Sequence, residues 1–134
     1  MKKSAQFAQI FLRVALAGTM FSAVADRIGL WGENAAWGNW DSFEEYTRQL
    51  TFFLPTVLST FSAYAATFFE IVLSIMLIVG IKTKIAATAT GILLLIFALA
   101  MSVSLGVKAP LDYSVWIGSA AAFLLASQKD SAAS

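Results

Sequence analysis

Two charged residues, Arg13 and Glu70, stand inside long apolar stretches of the sequence. A charge at mid-depth in a bilayer costs about 2.5–3.5 kcal/mol, so two opposite charges at similar depth are best accommodated as a pair. If the first helix begins near Gln6, Arg13 lies about 10 Å from one membrane face. Glu70, on the antiparallel second helix, lies about 16 Å from that same face. We therefore predict an Arg13–Glu70 ion pair.

This predicted pair has three interpretations. Arginine could donate to a carbonyl oxygen of a bound lipophile and glutamate could exchange a proton, which makes Arg13 and Glu70 candidate ligand-binding residues. The pair could instead only fix the register of two helices. In the third interpretation, Arg13 extends to the membrane surface and Glu70 is protonated.

A second set of candidate ligand-binding residues lies near the outer ends of the apolar stretches: Asp26, Asp112, Tyr113 and Trp116. Asp112 and Trp116 share one face of the last predicted helix, and Trp116 or Tyr113 could stack on a flat ring. With Asp26, they could line the mouth of a pocket. Helix capping also explains Asp112, because Pro110 suits the first turn of a helix and a carboxylate suits its N-terminal end.

The sequence contains neither cysteine nor histidine. Thiolate catalysis, disulfides, iron–sulfur clusters and cysteine zinc sites are therefore excluded, and the commonest general base is missing. The net charge is +1, and no basic patch suits nucleic acid. We assign no catalytic residue, no metal site and no covalent cofactor. Any redox cofactor is expected to be bound non-covalently and shared with a partner.

Membrane helices must position these residues. Of the 134 residues, 59% are hydrophobic and 13% are charged, against roughly 25% charged in soluble domains. An apolar run of about 20 residues is long enough to cross the hydrocarbon core. We predict an all-α membrane protein, one domain in which four transmembrane helices form a bundle, with spans at about 6–25, 58–81, 85–105 and 111–126.

The connection between the first two spans, about 27–57, is long and rich in aromatic residues. Ser42 and Glu45 are spaced as a capping box, which marks a helix start. Apolar residues follow at helical spacing: Phe43, Tyr46, Leu50 and Phe53. We predict a short amphipathic helix in this extracytoplasmic loop, with its apolar face against lipid or the bundle.

The lysines and arginines predict the orientation. With the N-terminus inside, five lie on the cytoplasmic side and three outside: Lys2, Lys3, Lys82, Lys84 and Lys129, against Arg27, Arg48 and Lys108. We predict that both termini are cytoplasmic. The segment 23–25 is similar to a signal-peptide cleavage site, but Arg13 makes the preceding charged region unusually long, so we expect an uncleaved first span.

Several short motifs occur in a familiar order: RVALAG at 13–18, ADRIGLWG at 25–32, AATFFE at 65–70, GIKTK at 80–84 and APLDYS at 109–114. In these motifs the chain resembles the DoxX family of small four-helix bacterial membrane proteins, over roughly residues 10–127. The resemblance implies a multi-pass protein of the bacterial inner membrane. It also implies a subunit linked to quinone-dependent oxidoreductases, such as thiosulfate:quinone oxidoreductase.

Three functions compete on this basis. The first is a membrane subunit that binds a quinone or another small lipophile beside a redox partner subunit. The second is a carrier or permeation path for a small solute, which would need a homo-oligomer because four helices are few for a pore. The third is a structural or assembly protein of the lipid bilayer without turnover.

Overall fold

The computed structural model describes residues 2–128. Within that range the chain is helical and has no β-strand. The helices are α1 (Lys2–Arg27), α2 (Trp40–Leu50), α3 (Thr56–Val79), α4 (Thr83–Leu105), α5 (Lys108–Asp112) and α6 (Val115–Ser127). A single 3₁₀ turn, Gly32–Asn34, lies in the connection between α1 and α2.

Three of the helices, α1, α3 and α4, are long and apolar enough to cross a membrane, whereas α6 is a shorter apolar helix. Large apolar side chains point away from the bundle on all four: Phe7, Phe11, Phe61, Phe68, Ile85, Ile96 and Ile117. A soluble monomer rarely exposes so much contiguous apolar surface. Together these features indicate a membrane protein.

The fourth predicted span, 111–126, is not one continuous helix. It is divided between α5 and α6, because Ser114 adopts a left-handed conformation with φ 58°. The break falls at Asp112, Tyr113 and Ser114, whose residue types have low helix propensity. The 13 residues of α6 extend over about 20 Å, less than the hydrocarbon core of a bilayer.

The two ends of the bundle differ. One end, which we call the terminal end, holds the start of α1 and the end of α6. There Ala5, Ala8 and Gln9 line a small cleft with Leu124 and Gln128. The α3–α4 turn lies at this end too, because Arg13 contacts the last residues of α3. The opposite end, which we call the loop end, carries α2, α5 and the connections beside them. Because α6 is short, α1 and α4 are left without a fourth full-length helix between them toward the loop end.

Small residues hold the helices together at the core. Ala17 of α1, Ala86 and Ala87 of α4 and Ala122 of α6 are completely buried. Ser119 of α6 donates to the carbonyl of Gly91 on α4 at 2.8 Å. Close helix contact of this kind is typical of membrane proteins, in which small residues let the backbones approach.

The predicted amphipathic helix is present as α2, with different ends. Its N-cap is Asn39, whose side chain accepts from the backbone N–H of Ser42 at 2.8 Å. The predicted Ser42–Glu45 capping box is therefore wrong: an equally good cap stands three residues earlier and places Ser42 in the first turn. The buried face contains Phe43, Thr47 and Leu50. Phe53 lies beyond the helix end and is 60% exposed.

Candidate functional site

Glu70, near the middle of α3, is ion-paired with Arg27, the last residue of α1. Glu70 Oε1 lies 2.6 Å from Arg27 Nη1. Only 1% of the Arg27 side chain and 4% of the Glu70 side chain is accessible to solvent. The same Nη1 donates to Thr67 Oγ1 at 2.7 Å. The guanidinium carbon of Arg27 lies 3.8 Å from the ring centroid of Phe43 on α2, a cation–π contact. Three helices thus enclose one buried cation.

The predicted partner of Glu70 was Arg13, and this pairing is wrong. Arg13 Nε donates to the carbonyl oxygen of Leu77 at 2.8 Å, and its Nη2 donates to that of Ile78 at 3.3 Å. These carbonyls belong to the last turn of α3, where no intrahelical donor remains. A cation is also favoured at a helix C-terminus by the helix dipole. Arg13 therefore caps α3.

Side-chain direction explains why Glu70 pairs with Arg27 and not with Arg13. In a helix the Cα–Cβ bond tilts toward the N-terminus. Arg13 and Arg27 both lean toward the terminal end, so Arg13 leans away from the bundle centre and Arg27 leans into it. Glu70, on the antiparallel helix, leans toward the loop end and meets Arg27. Depth along the helix axis alone predicts the wrong arginine.

A cavity of about 450 Å³ opens beside this ion pair toward the loop end. Arg27 and Glu70 form part of its wall. The other lining residues are mostly apolar or aromatic: Thr19, Met20 and Ala23 of α1, Ala36, Trp37 and Tyr46 near α2, Leu94, Phe97 and Met101 of α4, and Tyr113. The volume lies within the roughly 300–1,000 Å³ of small-molecule sites.

The Nε of Arg27 is a donor that remains unused. This atom is buried and has no hydrogen-bond partner among residues 2–128. Buried donors are normally satisfied in native proteins. An acceptor atom of a bound molecule that reached Nε would satisfy this donor without replacing the contacts of Nη1 to Glu70 and Thr67.

Asp26, a predicted site residue, shapes the cavity indirectly. Its carboxylate accepts from the backbone N–H groups of Ala36 (2.6 Å), Trp37 (2.8 Å) and Gly38 (2.8 Å). Asp26 itself does not line the cavity, whereas Ala36 and Trp37 do. The carboxylate therefore fixes the connection that forms this part of the wall.

The other predicted site residues fall in different places. Tyr113 lines the cavity with Glu70, although 73% of it is exposed. Asp112 pairs with Lys108 at 2.7 Å on the surface and caps no part of α6. Trp116 is half-buried on α6 and is not among the lining residues. Of the predicted set, only Glu70 and Tyr113 reach the cavity.

Tyr46 lines the cavity and carries a phenolic hydroxyl. Burial raises the pKa of this phenol above its ordinary value, and the nearby Tyr113 raises it further. Tyr46 therefore stays protonated at physiological pH and keeps its O–H donor.

The fold and the cavity define an all-helical membrane protein with an ion-paired pocket near one end of the bundle. A family model described as "Methylamine utilisation protein MauE" matches residues 4–112, which run from α1 to α5. The match covers most of the chain, and the chain belongs to this family. No curated protein and no solved structure matched it.

This family assignment overturns the resemblance to DoxX. The motifs that suggested DoxX are short, and several have structural roles here that are not specific to one family. Arg13 caps α3, and Asp26 binds the backbone of the following connection.

Proposed function

We propose that this protein is a membrane-embedded binding subunit, active in methylamine utilisation, that holds a small lipophile of the quinone class beside Arg27 and Glu70. The family name supports the biological process. The single observation that carries the binding role is the cavity lined by Arg27 and Glu70, with the unpartnered Nε of Arg27 buried beside it.

The charges of the site favour an uncharged ligand. Glu70 already balances the positive charge of Arg27, so an anionic ligand would be repelled by Glu70 and a cationic one by Arg27. A carbonyl oxygen is a neutral acceptor suited to the free N–H of Arg27. The ligand class that fits is therefore a neutral lipophile with a carbonyl group.

The walls favour a flat ring. Trp37, Tyr46 and Tyr113 border the cavity, and aromatic rings pack against one another in stacked or edge-to-face arrangements. The phenol of Tyr46 offers a second donor, and a quinone carries a second carbonyl oxygen. Apolar walls with a few placed donors are the usual composition of a lipophile site.

Electrons for a bound quinone would come from a partner. The chain has no cysteine or histidine, so centres built on those residues lie outside it. The protein's own share is to bind and orient the ring and to shield it from lipid, while a redox partner subunit contacts the loop end.

The test is mass spectrometry of the lipophiles that co-purify with the protein from its native membranes. Wild-type protein should carry a quinone at close to one molecule per chain. The double variant Arg27→Met, Glu70→Gln should lose it, while Arg48→Met, which removes a surface arginine, should retain it. Equal quinone in all three preparations, or none in the wild type, would contradict the proposal.

A further inference from the structure

A second cavity lies next to the ion-pair cavity. It is a groove of about 380 Å³ between α3 and α4, covered at the loop end by α2 and the residues that follow it. Its walls include Ala66 and Phe69 of α3, Ile96 and Ala100 of α4, and Leu50 and Phe53. Alanines on the facing helices leave the space that larger side chains would fill.

The groove offers no free hydroxyl from its walls. Thr47 donates to the carbonyl of Phe43 at 3.0 Å, Thr51 to that of Thr47 at 2.7 Å, and Ser62 to that of Leu58 at 2.8 Å. Every hydroxyl that lines the groove is thus used within the backbone. An alkyl chain fits such a surface, whereas a polar ring would leave its oxygens unsatisfied.

The groove and the ion-pair cavity meet at one side chain. Phe97 of α4 lines both. Phe43 also belongs to the groove, and its ring lies on the guanidinium of Arg27 in the neighbouring cavity. Two spaces of different chemistry therefore adjoin at Phe97: one has polar groups for a ring, and the other is apolar.

We infer that the α3–α4 groove is the binding site for the alkyl or isoprenoid tail of a ligand whose ring lies beside Arg27 and Glu70. This inference rests on the proposed function and adds to it that the ligand is an amphiphile with a tail. The tail passes Phe97 and leaves the bundle between α3 and α4, toward lipid.

Fit, rather than hydrophobic burial, decides whether the tail lies there. Lipid tails are as apolar as the groove, so a tail gains little on leaving the bilayer. The prediction is therefore steric: filling the groove should exclude a tailed ligand and leave a tailless one unaffected.

The experiment compares two probes with the same benzoquinone ring, one bearing a decyl chain and one without it. Binding to the full chain in phosphatidylcholine nanodiscs is measured by quenching of tryptophan fluorescence. Ala66→Phe fills the groove from α3, and Ala100→Phe fills it from the opposite wall in case the first variant does not fold. Ala120→Phe, on the exposed face of α6, is the matched control.

Either groove variant should weaken binding of the decyl probe by about tenfold or more, the cost of forcing atoms into filled space. Binding of the tailless probe should stay within about twofold, a change well under 1 kcal/mol, and Ala120→Phe should change neither. Unchanged binding of the decyl probe would show that the ligand's tail does not occupy the groove and would contradict the inference. An equal loss for both probes would contradict a separate tail site. Failure of the wild type to bind either probe would contradict the proposed function itself, and the tail site with it.

Discussion

Arg27 and Glu70 are joined in the interior of the bundle by an ion pair with an N–O distance of 2.6 Å. Arg27 is the last residue of α1, and its side chain returns toward the bundle centre, whereas the side chain of Glu70 leans toward the loop end. The pair closes one wall of a cavity and leaves the Nε of Arg27 without a partner among residues 2–128. The predictions below follow from this relationship and from the contacts that support it.

The ion pair should show strong coupling in a double-mutant cycle. Glu70→Gln leaves a buried arginine that cannot lose its charge, and breaking such pairs costs about 3–5 kcal/mol. Arg27→Met, Glu70→Gln removes both charges and should recover most of that stability. Thermal unfolding in detergent measures both effects. A double variant as unstable as the sum of its single variants would show that the charges are not coupled.

Arg13 should contribute to stability without contributing to ligand binding. Arg13→Met removes two charge-assisted hydrogen bonds to the C-terminal carbonyls of α3, and we expect a loss of about 1–3 kcal/mol. Because Arg13 contacts Leu77 and Ile78 and not Glu70, its effect should add to that of Glu70→Gln. Retained co-purified quinone in Arg13→Met is the second expected result. Loss of that quinone, with the protein still folded, would place Arg13 in the site.

Asp26 should control the order of the α1–α2 connection. Its carboxylate accepts three backbone hydrogen bonds through its two oxygens. The amide of Asp26→Asn has only one acceptor oxygen in place of these two. We expect a loss of about 2 kcal/mol and faster proteolysis between Gly32 and Asn39, because hydrogen bonds to charged groups are each worth about 1.5–3 kcal/mol. Asp112→Asn, which removes an exposed pair with Lys108, is the matched control and should change little. Equal proteolysis of both variants would mean that Asp26 does not hold the connection.

Orientation in the membrane remains a prediction from the lysine and arginine distribution. Because the chain has no cysteine, single cysteines report on one site each. Asn34→Cys, at the loop end, should react with an impermeant thiol reagent from outside intact cells, and Lys84→Cys, at the α3–α4 turn, should react only after lysis. The opposite labelling pattern would reverse the predicted topology.

Apolar runs predicted the helices well and the contacts between them poorly. Length and hydropathy placed α1, α3 and α4, and helical spacing of Phe43 and Leu50 indicated α2, because these features depend on local sequence. The break at Ser114 has only low helix propensity as a signal, which a continuous apolar run conceals. The sequence pattern predicts Arg27 at the outer surface because this residue ends the first apolar run. The direction of its Cα–Cβ bond was the one sequence-accessible sign that it points inward.

The cavity was beyond prediction for a different reason. Trp37, Tyr46 and Phe97 come from three separate segments, and no spacing within the sequence joins them. They meet because α2 covers the loop end and because α6 is too short to fill the space between α1 and α4. Glu70 and Tyr113 were predicted as site residues from charge and residue type, whereas their neighbours required the tertiary structure.

The infrared spectrum of a carbonyl-labelled quinone bound to the protein tests the central claim most directly. A hydrogen bond from Arg27 Nε should lower the stretching frequency of one of the two carbonyls in the wild type. Arg27→Lys keeps the charge beside Glu70 but has no second donor in the position of Nε, so the same band should return to its unbonded frequency while quinone remains bound. A bound quinone with two unshifted carbonyls in the wild type, or with the same shifted band in Arg27→Lys, would contradict the account.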